Sequence, residues 1–173
     1  GVTFLQQDAS NKGKCVDLIK TVEDKTGRKE FDIIVDDGSH FQHDQMTTLG
    51  LLFSFLSDGG LYIIEDICYE EDLRTGSQWW GYSGEPHHSV QGECHFGSVL
   101  HTDEEWLAGP EINYDNSTDA TIKRFLETNT FHSNYLNDLE NKYLTDNIDS
   151  CVMYDDEVLT CRSKLAVIKK KTI

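Results

Sequence analysis

Two short apolar runs, each ending in a pair of acids, set the pattern of the chain. Phe31-Asp32-Ile33-Ile34-Val35 runs into Asp36-Asp37, and Leu61-Tyr62-Ile63-Ile64 runs into Glu65-Asp66. Continuous β-branched runs of this kind predict strands buried on both faces, as in a parallel sheet. Between them, Gln42 to Ser57 carries Met46, Leu49, Leu52, Phe53 and Leu56 at spacings of three and four, which predicts a helix. Asp58-Gly59-Gly60 then breaks the chain ahead of the second strand. Together these elements read as a β–α–β unit with a right-handed crossover.

The flanking pattern is less regular. Val2 to Gln6 reads as a strand, and Val16 to Glu23 as a helix that ends in a polar turn through Gly27. From Ile67 to Asp119 the periodicity fades, and a long irregular stretch after a sheet edge is usually a functional loop. Ala120 to Tyr143 is helical again, with Ile122, Phe125, Leu126, Tyr135, Leu136 and Leu139 at helical spacings and Asn129 to Asn134 as a break. Cys151-Val152-Met153-Tyr154 and Leu165-Ala166-Val167-Ile168 are strand candidates able to close the sheet as an antiparallel pair. The expectation is one α/β domain over residues 1–173, a mostly parallel, doubly wound sheet with helices on both faces and a final antiparallel hairpin.

Composition narrows the partners. A net charge of −16 repels phosphate backbones and anionic lipid, which argues against nucleic acid and membrane surfaces. Lys169-Lys170-Lys171 is a local exception, read as a solvated strand end. The longest apolar stretch, Leu49 to Leu56, is too short to cross a bilayer. The five Cys are irregularly spaced and do not form a disulfide framework, so reduced thiols in a cytoplasmic protein are expected, with a Cys151–Cys161 bridge left open. His87-His88 and Cys94-His95 fit no common zinc spacing. Asn116-Ser117-Thr118 matches a glycosylation sequon with nothing else to suggest secretion.

The β–α–β geometry gives the acids their meaning. Parallel neighbours bring their C-terminal ends to one edge, where ligands of open α/β sheets bind. Asp36, Asp37, Glu65 and Asp66 therefore converge. Crowded carboxylates repel one another unless a cation sits among them, and an all-oxygen set favours a hard divalent ion, Mg²⁺ first. The alternative is that the acids cap helices and face water. His40, three residues after Asp37, is either a proton acceptor or a helix N-terminal residue bonded to a carboxylate.

At these residues a resemblance enters. Asp36-Asp37-Gly38-Ser39-His40, followed by Leu-Ser-Asp-Gly-Gly-Leu-Tyr-Ile-Ile-Glu-Asp over 56–66, resembles the metal-dependent class I S-adenosylmethionine O-methyltransferases of the macrocin and mycinamicin sugar-tailoring family, with cephalosporin hydroxylase-like relatives. The resemblance implies Asp37, Glu65 and Asp66 as Mg²⁺ ligands and His40 as general base. It implies Asp8 and Ala9, with Asp36, on the S-adenosylmethionine side; Asp8 is equally readable as a helix cap. It places Trp79, Trp80 and Tyr82 in a segment that covers the acceptor, where aromatic faces suit stacking on a sugar or simply anchor the loop. The family's Gly-rich loop and ribose-binding acid have no counterpart here, so the chain reads as starting at the family's third strand, an N-terminally truncated form; the alternative is a divergent protein whose first strand pairs directly with Phe31–Val35.

The function expected is O-methyl transfer to a hydroxyl of a sugar or small natural product. A hydroxylase-like metalloenzyme and a degenerate, non-enzymatic module are the alternatives. Homo-oligomerisation stays open.

Overall fold

The computed structural model describes residues 11–38, 42–67, 116–155 and 164–172. Helix α1 spans Lys12–Thr26 between an Asn11 cap, whose side chain accepts from the Lys14 amide, and Gly27 in the left-handed conformation. Strand β1 is Phe31–Asp36, helix α2 Gln42–Leu52, and a 3₁₀ turn over Phe53–Phe55 leads into β2, Leu56–Ile67. Helices α3 (Thr118–Thr128) and α4 (Asp138–Asn147) follow. Strands β3 (Ile148–Asp155) and β4 (Lys164–Lys170) end the chain. The strand expected at Val2 to Gln6 lies outside the described residues.

The described strands form one sheet in the order β1-β2-β4-β3. β1 and β2 pair in parallel, β4 runs antiparallel to β2, and β3 antiparallel to β4. The expected hairpin is present with Cys151 opposite Ile168 and Tyr154 opposite Leu165. The α/β class holds, as a mixed sheet with one parallel and two antiparallel ladders.

Register assigns the faces. Ile34, Tyr62, Ile168 and Cys151 form one row across the sheet, and Asp36, Ile64, Ala166 and Met153 another. Tyr62, Ile64, Ala166 and Ile168 are buried in a single core with Cys15 and Ile19 of α1, Met46, Leu49 and Leu52 of α2, Ile122 and Phe125 of α3, and Leu144 of α4. All four described helices therefore contribute to the same core. The intervening row, Val35, Ile63, Val167 and Val152, belongs to the opposite face, where Val35 remains 52% exposed.

Several boundaries differ from the pattern-based expectation. α2 stops at Leu52, and Ser57 already belongs to β2. Leu56 pairs with Phe31 and Leu61 with Ile33, so Asp58-Gly59-Gly60 is absorbed as an irregularity within the strand. Gly60 permits it: a Cβ there would lie 2.8 Å from the Ser57 carbonyl oxygen. The helical stretch from Ala120 breaks at Asn129, which adopts φ 53, and Tyr135 and Leu136 lie in the connection to α4. Leu139, expected on an apolar stripe, is 78% exposed. Lys170 is not a solvated strand end. It is buried, and its ammonium donates to the carbonyls of Leu56 (2.6 Å) and Ser54 (3.3 Å), which replaces its lost water shell.

Neither Cys15 nor Cys151 forms a disulfide. Burial pushes the Cys151 thiol up to about 12. The sequon residues Asn116, Ser117 and Thr118 are buried, and the Ser117 hydroxyl caps α3. Among the described residues, no helix is long and apolar enough to cross a membrane.

Candidate functional site

The sheet places the two acid pairs as the β–α–β pattern requires. β1 pairs with β2 as far as Asp36 opposite Ile64, which sets Asp37 in step with Glu65 at the C-terminal ends of adjacent parallel strands. Asp37 is exposed, and Asp36, Glu65 and Asp66 are half-buried. His40, Asp8, Ala9, Trp79, Trp80 and Tyr82 lie outside the described residues. Among the described residues, no group of three or more His, Cys, Asp or Glu is gathered tightly enough to hold a metal ion. The acids are thus brought to one edge, not into a closed ligand set. As a donor set, Asp37, Glu65 and Asp66 are all oxygen and all anionic, which suits a hard divalent cation such as Mg²⁺.

The two pairs sit on different backbones. β1 is regular to its end, and the Asp36 carboxylate accepts from the phenol of Tyr62 at 3.1 Å. Tyr62 is fully buried; burial and then the negative charge of Asp36 hold its phenol well above its usual value, so it stays a donor. On β2, Ile64 pairs with Ala166 and Ile67 with Lys164, so Glu65 and Asp66 together stand against Leu165 alone. This is a β-bulge, a device that re-aims side chains and is common beside active sites. Asp66 adopts φ 50, a left-handed conformation rare for a residue with a Cβ.

Four buried polar residues that the hydrophobic pattern did not single out surround the bulge: Gln45, Thr118, Lys164 and Asp119. Gln45 of α2 donates from Nε2 to the Glu65 carbonyl at 3.1 Å. The Thr118 hydroxyl, at the start of α3, donates to Gln45 Oε1 at 2.7 Å. Lys164, opposite Ile67, donates to both oxygens of Asp119, at 3.0 and 2.9 Å. Asp119 also accepts from Lys123 at 2.9 Å. A signal for Gln45 existed in the sequence: it lies four residues before Leu49, on the apolar stripe of its helix, where a polar side chain must be satisfied internally. Gln42, in the first turn of α2, is also buried, and its Nε2 has no hydrogen-bond partner among the described residues.

Known proteins resemble this chain over part of its length. It is 41% identical over 54 residues to the L-olivosyl-oleandolide 3-O-methyltransferase of Streptomyces antibioticus, a match that covers 31% of this chain and 12% of that enzyme. It is 38% identical over 55 residues to the mycinamicin VI 2''-O-methyltransferase of Micromonospora griseorubida, covering 32% of this chain and 12% of the relative. The matched stretch thus spans only a small part of these relatives. In three dimensions, 97% of the chain aligns with 31% of a methyltransferase from the mycinamycin biosynthetic pathway in complex with Mg and SAH, at TM-score 0.48 and 18% identity. No protein-family model matches the chain.

Proposed function

We propose that this chain, related in sequence to sugar O-methyltransferases, carries the metal-binding and proton-accepting elements of methyl transfer from S-adenosylmethionine to a hydroxyl of a sugar or small natural product. The observation that supports the reading is the meeting of the Asp36-Asp37 and Glu65-Asp66 pairs at one sheet edge, β1 being paired with β2 up to Asp36 and Ile64. Asp37, Glu65 and Asp66 would hold Mg²⁺. When bound, the ion supplies a Lewis acid that orients neighbouring hydroxyls and lowers their pKa.

The protein's own groups have separate tasks in this reading. His40 takes the proton from the acceptor hydroxyl, a role suited to a side chain that titrates near neutrality. Asp36 is held by Tyr62 and anchors the end of β1 beside the cofactor. Asp8 and Ala9 contact the cofactor. Trp79, Trp80 and Tyr82 stack on the acceptor and limit water.

The test is release of S-adenosylhomocysteine with a panel of glycosylated natural products, with Mg²⁺ and with chelator. Release should require Mg²⁺ and a free sugar hydroxyl. His40→Ala should abolish turnover and leave Mg²⁺ affinity, followed by calorimetry, nearly intact. Mg²⁺-independent release, or full activity in His40→Ala, would remove the assigned roles. A chain that binds Mg²⁺ and turns over only with Fe(II) and oxygen would be a hydroxylase-like enzyme instead.

A further inference from the structure

We propose that Gln45 is a positioning residue for the Glu65–Asp66 bulge, fixing the backbone from which the two acids reach the sheet edge. The proposal rests on the metal reading above and extends it to a residue outside the acid pairs.

At the bulge the sheet's regular register lapses. β1 ends opposite Ile64, and the pairing with β4 slips between Ala166 and Lys164, so regular ladder contacts stop on both sides of Glu65 and Asp66. Asp66 holds φ 50 there, a conformation that a residue with a Cβ keeps only when its surroundings impose it. The Gln45 amide supplies such a restraint at the preceding residue, through its 3.1 Å bond to the Glu65 carbonyl.

The amide is itself oriented. An amide side chain offers an acceptor at one end and donors at the other. The Thr118 hydroxyl occupies Oε1 at 2.7 Å, which leaves Nε2 for Glu65. Gln45 is 2% and Thr118 1% exposed, so water does not compete with either bond. The relay joins α2, the end of β2 and the first turn of α3. It bonds the backbone of Glu65, an assigned ligand, and partners outside the ligand set change metal affinity when removed.

The experiment compares the full chain with Gln45→Met, which keeps the side-chain length and loses the amide. Two readouts are taken: Mn²⁺ affinity by electron paramagnetic resonance, and hydrogen exchange at the Asp66 and Ile67 amides. Gln45→Met should lower Mn²⁺ affinity about tenfold or more and speed exchange at both amides. Asn141→Ala is the control for a merely structural loss. Asn141 is buried and bonds the Ser133 and Leu136 carbonyls; its replacement should lower thermal stability and leave both readouts unchanged. Thr118→Val should repeat the Gln45→Met result if that variant does not fold, and Thr118→Ser should restore the parent behaviour. Unchanged Mn²⁺ affinity together with unchanged exchange overturns the proposal. If the parent chain binds no Mn²⁺, the metal reading fails by itself, and exchange at Asp66 and Ile67 alone decides whether Gln45 holds the bulge.

Discussion

The two acid pairs look alike in sequence and are built differently. β1 keeps its pleat to the end, and neighbouring side chains of a regular strand point to opposite faces. Asp36 accordingly meets the buried phenol of Tyr62, and Asp37 stays exposed. β2 gives up its regular pairing, and the bulge leaves both Glu65 and Asp66 half-buried. At the first strand end one acid is tied into the core and one is exposed. At the second, a distorted backbone keeps two acids at the edge, and buried polar groups hold the distortion. A regular strand end delivers alternating residues; a bulge delivers adjacent ones.

The greatest expected effect comes from breaking the support of the second end. Asp119 is fully buried, and Lys164, opposite Ile67, is 4% exposed. Asp119→Ala would strand the Lys164 ammonium without its carboxylate, a loss of about 3–5 kcal/mol in urea unfolding. The double variant Asp119→Leu, Lys164→Met should recover most of it, because the cost lies in the uncompensated charge. A loss under about 1 kcal/mol in Asp119→Ala would mean that this pair does not secure the end of β2.

The first end should respond more mildly and through pH. Tyr62→Phe removes the bond to Asp36 and should cost about 0.5–1.5 kcal/mol near neutrality. Burial, and then Asp36, raise the Tyr62 phenol above 10.0 in the fold. A raised folded value means stability that is fully present below the unfolded pKa and lost as pH rises beyond it. The parent's urea midpoint should therefore fall more steeply above about pH 10 than that of Tyr62→Phe. Parallel curves would remove Tyr62 from the alkaline response.

Much of this contrast follows from what a pattern records. The two strands, the helix between them and the closing hairpin were legible as elements, but β1 is not buried on both faces as expected: Ile33 and Val35 are exposed. Met46, Leu49 and Leu52 are buried on α2 as their spacing requires, whereas Phe53 and Leu56 are buried beyond its end, in the 3₁₀ turn and in β2. That the two acid pairs share one sheet edge was legible because parallel pairing fixes which strand ends meet, although the described residues gather no closed ligand set there. The bulge was not, since it depends on where β4 slips against β2, a register that no local stretch encodes. The Lys164–Asp119 pair was hidden for a similar reason: each charge reads as a surface residue until the partner 45 positions away is known. Lys170 misled because its neighbours Lys169 and Lys171 are exposed and its own alkyl stem is not.

The smallest effect on stability separates the two ends most sharply. At Asp66, φ 50 is a conformation that glycine adopts freely. Asp66→Gly relieves that strain, at the usual entropic cost of a glycine in the unfolded chain, and these opposing terms are each about 1 kcal/mol. Thermal stability should therefore change little or rise slightly. Mn²⁺ affinity should still fall by at least about tenfold, since an assigned ligand has gone. At Asp36 the same replacement should behave in the reverse manner. Asp36→Gly leaves the buried Tyr62 hydroxyl without its acceptor and should cost about 1–3 kcal/mol, with a smaller change in metal binding. A stable Asp66→Gly that binds Mn²⁺ as the parent does would place the strained residue outside the metal site, and the bulge would then be a feature of how β2 meets β4.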